Sequence, residues 1–264
     1  MGQGINIQDP TKRFSMGIAI NKNGPTIAIH LIIINVLFWV AGQLLPKIDI
    51  DIYDRLGLHF WLGTDFKPYQ FVTYMFLHDP NSIIHLLCNM FNLYMFGPII
   101  ERTLGKNKFL LYYFVTGIGA GLVQQLAWAY DLNAFTAEVN RVLETGLTNP
   151  IDRGDGVLLR SIGEVTNFAD EIYNMRLTVG ASGAVFGLLL AFGMFYPNQP
   201  LYIMFIPIPI KAKYLVAGYA LLELFFGVKS FSFDNVAHFA HLGGLLFGLI
   251  LILYWKKKNV GRIR

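Results

Sequence analysis

Six apolar stretches of about 20 residues each recur along this sequence and leave little choice of architecture. They cover residues 26–45, 82–100, 109–130, 180–196, 214–228 (the shortest) and 236–255. Each reaches, or nearly reaches, the length a helix needs to cross about 30 Å of hydrocarbon. Lipid offers no partners to backbone N–H and C=O groups, so helices are expected, and the alternation of a membrane barrel is absent. Charge is correspondingly scarce. Only 14% of residues are charged and 54% are hydrophobic, with a mean hydropathy of +0.47, against about 25% charged in ordinary soluble domains. These values exclude a disordered chain and argue against a cytosolic enzyme. The expected fold is an all-α membrane protein, a six-transmembrane-helix bundle. Its single cysteine, Cys88, allows neither an internal disulfide nor a zinc site built on several thiolates.

The surplus of +4 charges reads as topology. Lys12, Arg13 and Lys22 precede the first stretch. Arg102, Lys106 and Lys108 follow the second, and Lys211 and Lys213 follow the fourth. Lys256, Lys257, Lys258, Arg262 and Arg264 close the chain. With six crossings these segments share one side, which the positive-inside rule makes cytoplasmic together with both termini. The expected organisation is a tail at 1–25, a membrane domain at 26–255 with outer-face insertions at 47–81 and 131–179, and a basic tail at 256–264. Leu44 and Leu45 before Pro46, and the polar residues ahead of the first stretch, argue against a cleaved signal peptide. With no organelle transit peptide apparent, a bacterial-type plasma membrane is expected. The 131–179 insertion is expected to form short helices. The aromatics of the preceding loop, Phe60, Trp61, Tyr69, Phe71 and Tyr74, suit a membrane interface.

Strongly polar groups inside membrane spans are costly and mark function by default. His85, Asn89 and Asn92 lie on one stripe of the second span. Asn92 reads as an interhelical hydrogen bond, and His85 with Asn89 as functional. The fourth span opens with Gly180-Ala181-Ser182-Gly183-Ala184. This approximates a nucleophile elbow, but the last position is Ala184 and no strand is expected before it, so an α/β-hydrolase is excluded. The sixth span places His241, Gly244 and Gly248 on one face, where glycines admit a close neighbour. Given the topology, Ser182, His241 and His85 sit at similar depth in the outer half of the membrane. A serine, a histidine to take its proton and two further donors are the parts needed for acyl transfer. Glu223, alone among carboxylates inside the fifth span, is expected to face the bundle rather than the site, and Asp234 to lie too shallow, so a dyad is favoured over a triad.

Three motifs together resemble the rhomboid family of intramembrane serine proteases: His85-Leu-Leu-Cys-Asn89, Gly180-Ala-Ser182-Gly, and Ala240-His241 followed by Gly244 and Gly248. The stretches Tyr69–Thr73 through His78, and Gly97-Pro98-Ile-Ile-Glu101, are also family-like. The resemblance implies a six-helix rhomboid-like bundle and a serine endopeptidase acting in or near transmembrane segments. In it Ser182 is the nucleophile and His241 the general base and acid. Asn89 and His85 are oxyanion stabilisers, joined by the Ser182 backbone N–H. It makes Gly180 a site-lining position and puts Phe186 where the family often has a tyrosine packed on the imidazole. It assigns no catalytic role to His238. The chain departs from many members at Trp61-Leu62, where a tryptophan-arginine pair is usual, and no seventh span or soluble N-terminal domain is evident. The implied partners are transmembrane substrates and the lipid bilayer, with no nucleic acid and no cofactor.

A substrate helix must unwind before its carbonyls can react, and the fifth span with Phe231 and Phe233 is the expected gate. The alternative is a catalytically silent rhomboid-like protein that binds transmembrane segments. A third class, a metalloenzyme or transporter using His85, His238 and His241, lacks H-E-x-x-H, and no carboxylate is expected to join those histidines.

Overall fold

A computed structural model describes residues 26–147, 149–202, 209–229 and 237–258. The tail charges at Lys12, Arg13, Lys22, Arg262 and Arg264, the gate residues Phe231 and Phe233, and Asp234 lie outside the described residues. The helices are α1 (Ile27–Leu44), α2 (Ile52–Leu56), α3 (Gln70–Thr73), α4 (Ile83–Leu104), α5 (Lys106–Asp131), α6 (Asn133–Thr145), α7 (Ile162–Asn174), α8 (Ser182–Phe195), α9 (Ala212–Lys229) and α10 (His238–Lys257). Every apolar stretch read from the sequence is a helix, with boundaries within a few residues of those expected.

Four of them, α1 (run on through Ile48), α4, α5 and α10, are long and apolar enough to cross a membrane. The other two expected crossings lack that signature for identifiable reasons. α8 has only 14 residues, and α9 carries Lys213, Glu223 and Lys229. Both pack among the longer helices, α8 against α4, α5 and α10, and α9 against α8 and α10. Exposed apolar side chains on α1 (Ile33, Leu37), α4 (Ile84, Leu87, Phe91), α9 (Leu221, Leu222, Phe225) and α10 (Leu246, Ile250, Leu253) face outward. That surface suits lipid and is too apolar for water.

Local chemistry sets the helix ends. Ser82 Oγ accepts the His85 N–H at 3.3 Å to start α4. Ser161 Oγ accepts the Glu164 N–H at 3.1 Å, while Glu164 Oε2 accepts the Arg160 N–H at 2.7 Å, to start α7. The carboxylate of Glu101 is buried against the start of α1, where Oε2 accepts the Ala28 N–H at 3.1 Å. An acidic group at a helix N-terminus compensates the positive end of the dipole, which accounts for a carboxylate deep in the bundle.

α5 is the central helix, and its small residues let others approach. Gly119 and Ala120 meet Gly243 of α10, and Ala120 also meets Gly183 of α8. A Cβ on Gly244 of α10 would collide with the Gly183 carbonyl oxygen, so α8 and α10 touch backbone to backbone there. Tyr112 of α5 donates its hydroxyl to the Gly187 carbonyl at 2.8 Å and lies where a Cβ on Gly248 would intrude.

The 131–179 insertion contains α6 and α7, with a short hairpin pairing Ile151–Asp152 and Leu158–Leu159. It closes over the 57–66 loop. Phe60 is fully buried among Trp128, Tyr173 and Trp61, and Thr64 donates its hydroxyl to Asp170 at 2.7 Å. Two buried glutamines pin the same loop. Gln125 Nε2 donates to the His59 carbonyl at 2.6 Å, and Gln70 Oε1 accepts the His59 and Lys67 N–H groups. The loop aromatics therefore depart from the interfacial expectation: Phe60 and Tyr74 are core residues and Phe71 packs inward, while Tyr69 stays half exposed. A two-residue antiparallel ladder, Leu58–His59 with Leu177–Thr178, leads directly into the candidate site.

Candidate active site

α4, α8 and α10 alternate with the helices between them and start at the same end of the bundle, so residues in their opening turns share a depth. His85 is the third residue of α4, Ser182 the first of α8, and His241 the fourth of α10. Ser182 follows a sharp turn. Gly180 sits at φ +135°, a conformation side chains rarely adopt, and its N–H donates to the Tyr74 carbonyl at 3.0 Å. A Cβ at Gly180 would lie 3.1 Å from His85 Cε1 and Nε2 and 3.6 Å from Ser182 Oγ, so only glycine leaves this opening. The expectation that no strand precedes Ser182 is corrected by Leu177–Thr178. The hydrolase reading still fails, because that strand belongs to a two-stranded ladder and not to a packed sheet.

The α8–α10 backbone contact at Gly183 and Gly244 carries the preceding residue of one helix and the preceding turn of the other into register. His241 Nε2 lies 2.9 Å from Ser182 Oγ. Phe186, one turn after Ser182, stacks on the His241 ring at 4.2 Å between centroids and 10° between planes. The ring is thereby fixed in plane by an apolar face. His241 is buried and Ser182 partly open.

His85 has a defined tautomer. Its Nδ1 accepts the Asp79 backbone N–H at 3.3 Å, which leaves the proton on Nε2, the atom that faces Gly180. Asn89 is buried one turn deeper, and its amide donates to the His85 carbonyl at 2.9 Å. Asn92 does likewise toward Cys88 at 2.8 Å, so its observed bond lies within α4, not between helices as expected. No side chain caps α8, so the N–H groups of its first turn have no capping acceptor.

Glu223 reverses the largest expectation. Instead of facing the bundle away from the site, its Oε2 lies 3.0 Å from His241 Nδ1 and 2.5 Å from His238 Nδ1. A carboxylate does join the histidines. The signal was legible in part, since Glu223 is a lone acid in an apolar helix. What periodicity could not supply was the rotation of α9 about its axis, because the apolar residues of that helix are spread around it. His78, by contrast, carried no signal beyond its type. It is fully buried, its ring 5.2 Å from that of His85. Burial and the neighbouring His85 push its pKa down to about 3.

A bundle of long apolar helices with a serine and an imidazole in contact near one end defines an all-α integral membrane protein. The model of the Rhomboid domain matches residues 65–141 and 156–258, most of the chain, and the chain belongs to the rhomboid family. Among similar proteins, Rhomboid-like protein 11, chloroplastic, of Arabidopsis thaliana is 27% identical over 236 residues, covering 83% of this chain and 64% of that protein. RHOMBOID-like protein 12, mitochondrial, of the same plant is 26% identical over 200 residues, covering 75% of this chain and 48% of that one. The Putative rhomboid protease YdcA of Bacillus subtilis (strain 168) is 26% identical over 194 residues, covering 74% and 70%. The chain thus spans less than two thirds of the two plant relatives.

Proposed function

We propose that this protein is an intramembrane serine endopeptidase that hydrolyses peptide bonds in or near transmembrane segments of membrane proteins. The observation that carries the reading is the 2.9 Å approach of His241 Nε2 to Ser182 Oγ. Proton transfer between them needs Nε2 unprotonated. Glu223 beside Nδ1 favours the tautomer with its proton on Nδ1, which leaves the Nε2 lone pair free to accept. The Ser182 alkoxide then adds to the scissile carbonyl. The oxyanion that develops is stabilised by His85 Nε2–H, the Asn89 amide and the Ser182 backbone N–H. His241 returns its proton to the leaving amine, and a water activated by the same imidazole hydrolyses the acyl-enzyme. Glu223 never touches substrate in this scheme; it acts as a positioning residue for His241.

Substrates are transmembrane segments that unwind locally, and α9 is the entry side. It buries only Ala212, Val216 and Gly227, yet reaches the site through Tyr219 on Phe186 and Phe226 on His238. Loop charge supports cytoplasmic placement of both termini.

A fluorophosphonate probe on the purified protein tests the assignment. Labelling at Ser182 that is lost in His241→Ala is the expected result. Full cleavage of a transmembrane substrate by Ser182→Ala would overturn it.

A further inference from the structure

The carboxylate of Glu223 is shared by two imidazoles, and that arrangement exceeds what a hydrolytic site requires. One positioning group for His241 would suffice. His238 lies three residues before His241 on α10, on the same side, and turns its Nδ1 to the same oxygen. One donor atom each from Glu223, His238 and His241 falls within 4.8 Å of the others. The side chains of His238, Glu223 and His241 are only 12%, 12% and 10% exposed, so they are largely withdrawn from competing water.

From this cluster we infer that Glu223, His238 and His241 form a binding site for a divalent transition metal such as Zn²⁺, and that occupancy shuts the hydrolytic site. The inhibitory half of this inference rests on the proposed peptidase reading; the binding half does not. Two imidazoles and one carboxylate are a known zinc donor set, leaving a fourth position for water. In a tetrahedral site with bonds of ~2.0–2.2 Å, donor atoms stand ~3.4 Å apart. The Glu223 oxygen stands 2.5 and 3.0 Å from the two Nδ1 atoms and all three donors fall within 4.8 Å, so displacements of about an ångström reach that spacing. Imidazole nitrogen selects zinc, cobalt, nickel or copper over magnesium and calcium, which prefer oxygen. Two neutral rings and one carboxylate leave the occupied site with a single net positive charge, easier to hold in an apolar surround than the bare dication.

The effect on catalysis follows from the tautomer. A metal on His241 Nδ1 takes the lone pair there, so the neutral ring's single N–H proton moves from Nδ1 to Nε2. Nε2–H then faces Ser182 Oγ as a donor and has no lone pair with which to accept the serine proton. The nucleophile is left unactivated even where His241 Nε2 stays within reach of Ser182 Oγ. No covalent or redox step is involved, so chelation reverses the effect.

The test uses the full chain in detergent. Co²⁺ and Zn²⁺ are titrated into Ser182→Ala, with Co²⁺ followed by its visible d–d absorption, which reports tetrahedral nitrogen and oxygen donors, and Zn²⁺ by competition with a chromophoric chelator. One metal per chain is expected, with affinity falling roughly tenfold or more in Glu223→Gln and in His238→Gln. Absence of binding, or binding that both substitutions leave unchanged, overturns the site. Against a transmembrane substrate, Zn²⁺ is expected to stop cleavage by the unmodified protein, a chelator to restore it, and His238→Gln to cleave at concentrations of Zn²⁺ roughly tenfold higher. Metal bound at full cleavage rate overturns the inhibitory role. A protein that binds metal but never cleaves any substrate leaves the metal site standing and removes the peptidase reading instead.

Discussion

Gly183 of α8 and Gly244 of α10 meet with no side chain between them, and that contact sets the distance from Ser182 to His241. The reacting pair is positioned by backbone against backbone rather than by rotamers. A helix pair wedged apart at this point carries the hydroxyl and the imidazole out of reach together.

Gly244→Ala is therefore expected to cost about 1–3 kcal/mol of stability through overpacking. It is expected to cost more in activity, since a shift near 1 Å between reacting groups lowers rates about 10²-fold. Thermal unfolding in detergent and probe labelling at Ser182 measure the two effects separately. Labelling at the normal rate would dissociate the contact from the site.

Glu223→Gln keeps size and shape while removing the charge beside His241 Nδ1. The expected result is a fall in kcat on the order of 10²-fold or more with KM little changed, because the lost interaction grows as the imidazole takes up a proton. Glu223→Asp should recover part of the rate. A change in KM alone would reduce Glu223 to a structural role.

His85→Ala and Asn89→Ala each remove one donor from the developing oxyanion, for a loss of about 3 kcal/mol, or ~10²-fold in kcat. Steady-state kinetics on a transmembrane substrate checks both, and an unchanged rate removes that residue from the site. The two differ in mechanism. His85 aims Nε2–H at the pocket because Asp79 occupies Nδ1, whereas Asn89 has one N–H engaged with the His85 carbonyl and offers the other.

Gly180→Ala meets two obstacles at once, the φ of +135° and the His85 ring 3.1 Å away. A backbone cost of roughly 1–3 kcal/mol is expected, and cleavage should fall further than stability because the new methyl narrows the opening beside Ser182. Equal losses in both would place Gly180 in the fold only.

His78 links stability to acid. Its pKa in the folded chain, about 3, lies below its ordinary value of 6.5, so the unfolded chain takes up the proton first as pH falls. The contribution is full above about pH 6.5 and drains at up to roughly 1.4 kcal/mol per pH unit toward about pH 3. Thermal unfolding from neutral to mildly acidic pH should show this slope, and His78→Leu should flatten it. An equally steep slope in the variant would move the acid sensitivity elsewhere.

Helix positions were legible because membrane spans must be apolar for their full length, and that pattern survives in a single sequence. Ser182, His241 and His85 were legible for the complementary reason, as polar groups where lipid tolerates few. Three features were not. The side chain of Glu223 could be placed only with the rotation of α9, and the apolar residues of α9 are spread around its circumference. The packing of the insertion depended on Phe60, Trp128 and Tyr173 meeting across distant parts of the chain. The two missing long-helix signatures reflect local demands: α8 starts only after the turn that presents Ser182, and α9 carries the carboxylate that lies beside His241.

On the proposed peptidase reading, the thin burial of α9 ties admission to activation. A substrate segment that enters by parting α9 from α10 draws the carboxylate away from His241 as it passes, so the imidazole loses its partner while the entrance stands open. Bond cleavage then belongs to the reclosed state, and a lipid or peptide that merely props the doorway encounters a serine without its assembled base.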